Sequence, residues 1–313
     1  SWRRGGPLLS ASGASRVPRR TSPSPSELPE VGPWARDKLD RLRSYLIAYT
    51  TILSKQKWAK TVYIDAFAAA GRAAVRPTEP AAQKKLSIVD DDQAVIDGSP
   101  RVALGIEPSF NQYVFIEQDA DRLERLRELE REYTGRRQLR VHEGDCNDYL
   151  TKHLTGLDLK KQGWRGVVFL DPYGMQVPWS TVEALAKTGA IEVFITFPLG
   201  MAIQRLLKKS ASFSEAERKK LDTYFGEPSW HAAVYQQDSA DMFGEVRTKK
   251  GKDSARKLLD WYRARLKLHF WHVSPGYLVK NSAGGDLYYL LFAGPNATGA
   301  KIASQVLGGG TRV

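Results

Sequence analysis

From Trp34 onward the chain is periodic. Leu39, Leu42, Tyr45, Leu46, Tyr49 and Ile52 recur at helical spacing with charges between them, which predicts an amphipathic helix. Compact apolar runs follow. Thr61–Phe67, Asn111–Glu117, Gln138–Glu143, Arg165–Asp171 and Ile191–Phe197 read as five strands. Helical stretches lie between them. The clearest is Asp119–Tyr133, with Leu123, Leu126 and Leu129 on one face and Asp119 placed to cap it. Strands alternating with helices, each strand apolar almost throughout, predict a parallel sheet covered on both faces.

The last third changes rhythm. His269–Val279 and Asp286–Ala293 read as two strands joined by Lys280–Gly285, which carries Asn, Ser and two glycines, hence an antiparallel hairpin. Five β/α units closed by such a hairpin is the strand sequence of the Rossmann-like class I S-adenosylmethionine (SAM) methyltransferases, an α/β, doubly wound fold. Two insertions are expected. Arg72–Gly98 follows the first strand and contains Asp90-Asp91-Asp92, and residues 200–268 form a helical excursion before the hairpin. No internal repeat is visible. Residues 1–33 hold six prolines and seven serines without an apolar stripe. They read as a disordered basic leader ahead of a single domain over 34–313. The acid-free, Arg- and Ser-rich start also has the composition of a transit peptide, a plain flexible extension being the alternative.

Charge alters the picture locally. The chain has 47 Lys+Arg against 35 Asp+Glu, a formal +12. Residues 247–267 alone carry nine basic and two acidic residues. That segment interleaves cations with Trp261 and Tyr262 and points to an anionic partner such as nucleic acid, with Lys249, Lys250 and Lys252 as candidate contacts. A solvated helix face is the alternative reading. Trp261, Leu258, Leu268, and the pairs Trp230-His231 and Trp271-His272, are expected to pack. No run approaches the roughly 18 apolar residues of a membrane-spanning helix; the longest is Leu287–Ala293. The single cysteine, Cys146, excludes an internal disulfide framework and a cysteine-based zinc site, and fits a reducing, cytoplasmic compartment. His142 and His153 lack metal-ligand spacing, so no metal is expected.

Open α/β sheets bind ligands at the carboxyl ends of their strands. Four such ends carry acids here: Asp65, Glu117, Asp145 and Asp171. An acid after the second strand can accept hydrogen bonds from ribose hydroxyls, and one after the third from an adenine amino group. The row reads as a nucleoside cradle, with Ala66, Phe67, Gly71 and Cys146 completing the candidate cofactor set. Each residue also has a plainer reading: a helix cap for Asp145, an arginine partner for Glu117, loop anchoring for Asp65, packing for Cys146.

Tyr63-Ile64-Asp65-Ala66-Phe67-Ala68, Gly98-Ser99-Pro100, the run Phe169 to Trp179 (FLDPYGMQVPW) and Phe197-Pro198-Leu199 together resemble the three-Cys-motif partner (TcmP) family. The resemblance extends from about Lys38 to the C-terminus. It implies a SAM methyltransferase-like fold and association with a three-cysteine protein that looks like a radical-SAM iron–sulfur enzyme. The family's first loop usually reads Asp-x-Phe-Ala-Gly-Pro-Gly, whereas Ala69 and Ala70 precede Gly71 here. An alanine at a positive-φ position strains that loop. Asp171-Pro172-Tyr173 resembles the Asp/Asn-Pro-Pro-Tyr motif of amino methyltransferases, without its second proline; a strand-ending turn is the alternative.

These readings converge on a SAM-dependent methyltransferase. Glu117 would hold ribose, Asp145 adenine, and Asp65 with Gly71 the methionyl end. Asp171, Pro172 and Tyr173 would orient an amino nitrogen. The rival is a non-catalytic docking platform for the three-cysteine partner. A nicotinamide oxidoreductase is disfavoured because the first loop lacks G-x-G-x-x-G. A Mg2+ nuclease is disfavoured because no lysine stands at motif spacing.

Overall fold

A helix with one apolar stripe must bury it, and here the stripe docks on the sheet. The computed structural model of the chain describes residues 30–31, 34–69, 72–75, 95–209, 211–237 and 248–308. The first elements are β1 (Glu30–Val31), α1 (Trp34–Leu53), β2 (Lys60–Asp65), β3 (Arg72–Val75), β4 (Val95–Asp97) and α2 (Ser99–Leu104). The predicted stripe of α1 is buried at Leu39, Leu42, Tyr45, Leu46 and Tyr49, whereas Ile52 emerges at its end.

Strict alternation follows. The elements are β5 (Gln112–Glu117), α3 (Ala120–Glu132), β6 (Leu139–Glu143), α4 (Cys146–Lys152), β7 (Trp164–Leu170), α5 (Trp179–Lys187) and β8 (Ile191–Phe197). The excursion then begins with a π-helical turn over Leu199–Ile203. It continues through α6 (Gln204–Leu206), α7 (Glu215–Phe225), α8 (Trp230–Val234), β9 (Tyr235–Gln237), β10 (Thr248–Lys250) and α9 (Ser254–His269). The chain closes with β11 (His272–Val273), β12 (Tyr277–Lys280), β13 (Asp286–Gly294) and α10 (Ala297–Leu307).

The main sheet runs β6–β5–β2–β7–β8–β13–β11, with β12 also on β13. Its first five strands are parallel. β13 enters antiparallel beside β8, and β11 and β12 pair antiparallel with it. In strand-of-origin terms the order is 3-2-1-4-5-7-6 with the seventh strand reversed. This is the expected Rossmann-like, methyltransferase-type sheet.

Alternation along the strands builds two core layers. Val62, Ile64, Val168, Leu170, Val193 and Ile195 face α4, α5 and the helical excursion. Tyr63, Phe115, Val167, Phe169 and Phe194 face α1, α2, α3 and α10. Local signals agree with the packing. Asp119 caps α3 by accepting from the Arg122 amide at 3.0 Å. Ser214 and Glu217 form a capping box on α7, which ends at Gly226 in a left-handed conformation (φ 80°) against the Trp179 ring.

Some expectations are corrected. His269 ends α9 rather than starting a strand, and the predicted first hairpin strand is broken at Ser274–Gly276 into β11 and β12, because Pro275 cannot donate to a ladder. The buried stripe of α9 is Leu258, Leu259, Tyr262 and Leu266. Leu268 falls on the opposite face and is 77% exposed; Trp271 is 86% exposed. Trp230 does pack, fully buried, with its indole N–H on Asp222 at 2.7 Å. Trp261 packs edge-on against Phe225. At the end of the predicted leader, Glu30–Val31 pairs in parallel with β3. Residues 1–29 lie outside the described residues, as do Asp90–Asp92. Among the described residues, no helix is long and apolar enough to cross a membrane.

One core position of β8 is acidic. Glu192, second in β8, is 4% exposed and accepts the Tyr45 hydroxyl proton. Burial raises its pKa from 4.5 to about 7, against the Tyr45 hydrogen bond. Below pH 4.5 both folded and unfolded chains carry its proton. Between there and about 7 only the folded chain keeps it, so rising pH favours unfolding. The wild type is expected to lose stability across that window, and Glu192→Gln to remove on the order of 2–3 kcal/mol of the loss. Urea midpoints at pH 5 and pH 8 measure this; an unchanged pH slope in the variant would contradict it.

Candidate functional site at the carboxyl edge of the sheet

The five parallel strands end at one edge, and the four predicted acids all stand there. Asp65 ends β2 fully buried. Its carboxylate accepts from the Phe67 amide at 3.3 Å and the Tyr63 hydroxyl at 3.2 Å, and hydrogen-bonds the Ser99 side chain. Burial raises its pKa to about 7 and Asp171 adds to the rise, while Ser99, Phe67 and Tyr63 oppose it. The Gly98-Ser99-Pro100 motif thus serves the Asp65 motif: it starts α2 with the serine on the aspartate.

The loop after β2 is held by its backbone. The Ala66 amide donates to the Phe169 carbonyl at 3.1 Å and the Ala68 amide to the Ile116 carbonyl at 3.1 Å. Ala69 has φ 51°, the left-handed conformation that favours glycine. Its amide donates to Glu117 Oε2 at 3.1 Å. Gly71 lies outside the described residues.

Glu117, 8% exposed, ends β5. Besides Ala69, its Oε1 accepts the amides of Gln118 at 2.9 Å and Asp119 at 3.0 Å. An ionised carboxylate offers about four acceptor sites, so three are committed to backbone. Arg122 reaches to 4.0 Å from Oε2 and its guanidinium lies 5.4 Å from the Tyr173 ring centre. Asp145 follows β6 and caps α4: Oδ1 accepts the amides of Asn147 at 2.8 Å and Asp148 at 3.0 Å. The cap reading of Asp145 is therefore correct, and it leaves Oδ2 uncommitted by those bonds. Cys146 is buried, and burial pushes its thiol up to about 12, which removes it as a nucleophile.

Asp171 ends β7 and is anchored on both oxygens. Lys38 Nζ donates to Oδ2 at 2.5 Å and the Thr196 hydroxyl to Oδ1 at 2.7 Å. Burial lowers the Lys38 pKa, but Asp171, Tyr288 and Asp65 together outweigh it, leaving the group above its ordinary value. Pro172 is buried beneath the turn, whose Tyr173 amide donates to Gln176 Oε1 at 2.9 Å. Tyr173 itself is 63% exposed.

A cleft brings Ala66, Phe67, Glu117, Asp145, Cys146 and Tyr173 together, with Arg122 crossing it. Asp65 and Asp171 stand behind it in the Lys38 network. The interior holds about 70 Å3, well under the roughly 300–1,000 Å3 of small-molecule sites. The Arg122–Tyr173 contact spans this narrow space.

The basic segment is only partly available. Lys250 Nζ donates to the Leu207 carbonyl at 3.4 Å, and burial lowers its pKa. Arg256 and Arg263 pair with Asp260, and Arg265 with Glu227. Lys249 and Lys252 are exposed around the β10 turn; Arg247 lies outside the described residues. No group of three or more His, Cys, Asp or Glu among the described residues is arranged to hold a metal.

Sequence reasoning missed Lys38, Thr196 and Arg122. Lys38 carried a signal: with Leu42, Tyr45 and Tyr49 it lies on the apolar stripe of α1, where a lysine needs an acid. Nothing in the pattern marked Arg122.

No family model and no curated protein matches the chain. Among solved structures, a Legionella pneumophila protein overlaps at TM-score 0.38 and 12% identity, over 82% of this chain and 97% of its own. An Escherichia coli protein provisionally assigned as a methyltransferase overlaps at 0.28 and 12%, over 66% and 82%. A provisionally assigned methyltransferase of Bacillus halodurans overlaps at 0.28 and 8%, over 80% and 99%. Overlaps this loose add nothing to what the strand order establishes.

Ala69→Gly is expected to raise folding stability by about 1 kcal/mol, because glycine adopts φ 51° without strain. Urea denaturation reads it, and an unchanged midpoint would show that the loop tolerates alanine at no cost.

Proposed function

We propose that the chain is a SAM-dependent methyltransferase acting on an amino nitrogen of nucleic acid or another anionic substrate, in the cytoplasm. One observation carries the reading: Glu117 and Asp145 border one cleft at the carboxyl edge of a sheet ordered 3-2-1-4-5-7-6. The donor set fits an adenosyl group. Two carboxylates would accept from ribose hydroxyls and an amino group, and the Phe67 and Tyr173 rings line the same cleft. The width does not yet suffice, so entry requires Arg122 and Tyr173 to part.

Bound SAM supplies a methyl group already activated toward attack. Glu117 would accept from the ribose through its remaining acceptor site, and Asp145 through Oδ2 from adenine. Asp65, in the loop-closing network, would face the methionyl end. Asp171 would act by holding the turn, since Lys38 and Thr196 occupy its oxygens. The acceptor would then meet the Pro172 carbonyl and the Tyr173 ring. The work left to these residues is alignment of nucleophile and methyl group.

The same occupied carboxylates favour a second reading, a platform that keeps the fold to dock a three-cysteine, radical-SAM-like protein, as the three-Cys-motif partner resemblance implies. Calorimetry with SAM and its demethylated product separates the two. Glu117→Ala is expected to weaken SAM by about 1–3 kcal/mol, with a melting curve confirming a folded variant. Absence of binding to the wild type at millimolar SAM would leave the platform.

Nucleic acid as substrate predicts a salt signature. Replacing Lys249 and Lys252 with alanine should reduce the slope of log K against log salt by about 1.4–1.8, two phosphate contacts at roughly 0.7–0.9 each. Lys250, already on the Leu207 carbonyl, should contribute less. A wild type that binds neither RNA nor DNA at low salt moves the substrate to another anionic class.

A further inference from the structure

A cavity larger than the carboxyl-edge cleft lies at the other edge of the sheet, where β7 and β8 begin. It holds about 380 Å3, within the range of sites that bury small organic ligands. Its lining is mixed in an ordered way. Glu192 contributes a carboxylate from β8, with Oε2 taken by Tyr45. Tyr49, 6% exposed, lines the same space, and its hydroxyl has no hydrogen-bond partner among the described residues. Gly299 lets α10 lie against the acid: a Cβ there would stand 2.2 Å from Glu192 Oε1. Cations are placed by the opening. Arg165 lies 4.8 Å from the centre of the Trp58 ring, which is 53% exposed, and Lys160 is exposed beside it.

One of these groups opposes folding: a buried carboxylate costs stability where an apolar residue would not. It faces the cavity, which calls for a ligand that satisfies it, and the Tyr49 hydroxyl opens on the same space. The carboxylate asks for N–H donors, preferably two side by side. Trp58 offers a ring face for stacking, and Lys160 and Arg165 ask for an anion. A molecule with a planar N–H edge at one end and an anionic group at the other meets all three demands.

We propose that this cavity binds a guanine mononucleotide, with the guanine N–H edge on Glu192 and the phosphate on Lys160 and Arg165. Guanine presents two adjacent N–H donors, which match the ionised carboxylate that Glu192 carries above about pH 7, where the comparison is made; adenine presents a donor beside an acceptor and does not. The site is separate from the carboxyl-edge cleft and does not depend on methyl transfer there.

Calorimetry on the full chain with guanosine monophosphate, adenosine monophosphate, guanosine and inorganic phosphate tests this. One guanosine monophosphate per chain is expected, with the adenine nucleotide weaker by about tenfold or more. Glu192→Gln should erase most of the guanine preference. Lys160→Glu, at an exposed position, should weaken the nucleotide while sparing guanosine, and covers the case in which the Glu192 variant fails to fold. Hydrogen exchange should show protection at residues 49–58 and 295–302. No binding at millimolar nucleotide would overturn the proposal. So would binding indifferent to Lys160→Glu, or protection at residues 117–122 instead.

Discussion

The carboxyl edge depends on one ion pair across the core. Lys38 comes from the first turns of α1, Asp171 from the end of β7, and they meet at 2.5 Å. Their side chains are 13% and 24% exposed, so the pair is sheltered without being dry. Removing one partner of such a pair leaves a charge with poor solvation, which is costlier than the pair itself is stabilising. Thr196 on β8 completes the coordination of Asp171. The contact therefore ties a helix to two central strands at the point where the DPYG turn leaves the sheet. Asp65 lies within the field of Asp171, which helps raise its pKa. The geometry of the turn, the state of Asp65 and the seating of α1 are one problem in electrostatics.

Glu117 serves two demands at the neighbouring strand. Its carboxylate closes the β2 loop through Ala69 and orders the turn into α3 through Gln118 and Asp119. A ribose would ask the same oxygens for hydrogen bonds. Arg122 stands between Glu117 and Tyr173 and occupies the narrow cleft as an internal counter-charge. The account thus rests on exchange: a ligand would replace the arginine as the partner of Glu117. Preformed backbone donors keep the carboxylate aimed during that exchange.

Much of the fold was legible because it follows from alternation. Five apolar runs and two-sided burial were enough to place the five parallel strands within two residues, whereas the first hairpin strand was drawn whole and three residues early. The errors came where one helix face had to be distinguished from another. Leu268 looks like core by composition, but the phase set by Leu258, Tyr262 and Leu266 sends it outward, and Trp271, beyond the end of α9, is exposed as well. The acids at the strand ends were legible too, since strand termini and ligand sites coincide in this architecture. Their partners were not: Lys38 and Thr196 reach Asp171 from elements distant in sequence, and nothing in the pattern set Arg122 apart from the other arginines of α3. Ala69 was informative too: an alanine stands in the left-handed conformation that favours glycine.

Hydrogen exchange with and without SAM tests the central claim most directly. The account predicts altered protection of the Ala69 amide and of residues 117–122, together with Tyr173, as the ligand takes the place of Arg122 beside Glu117. Unchanged exchange in all three places at saturating SAM, or change confined to other parts of the sheet, would contradict it.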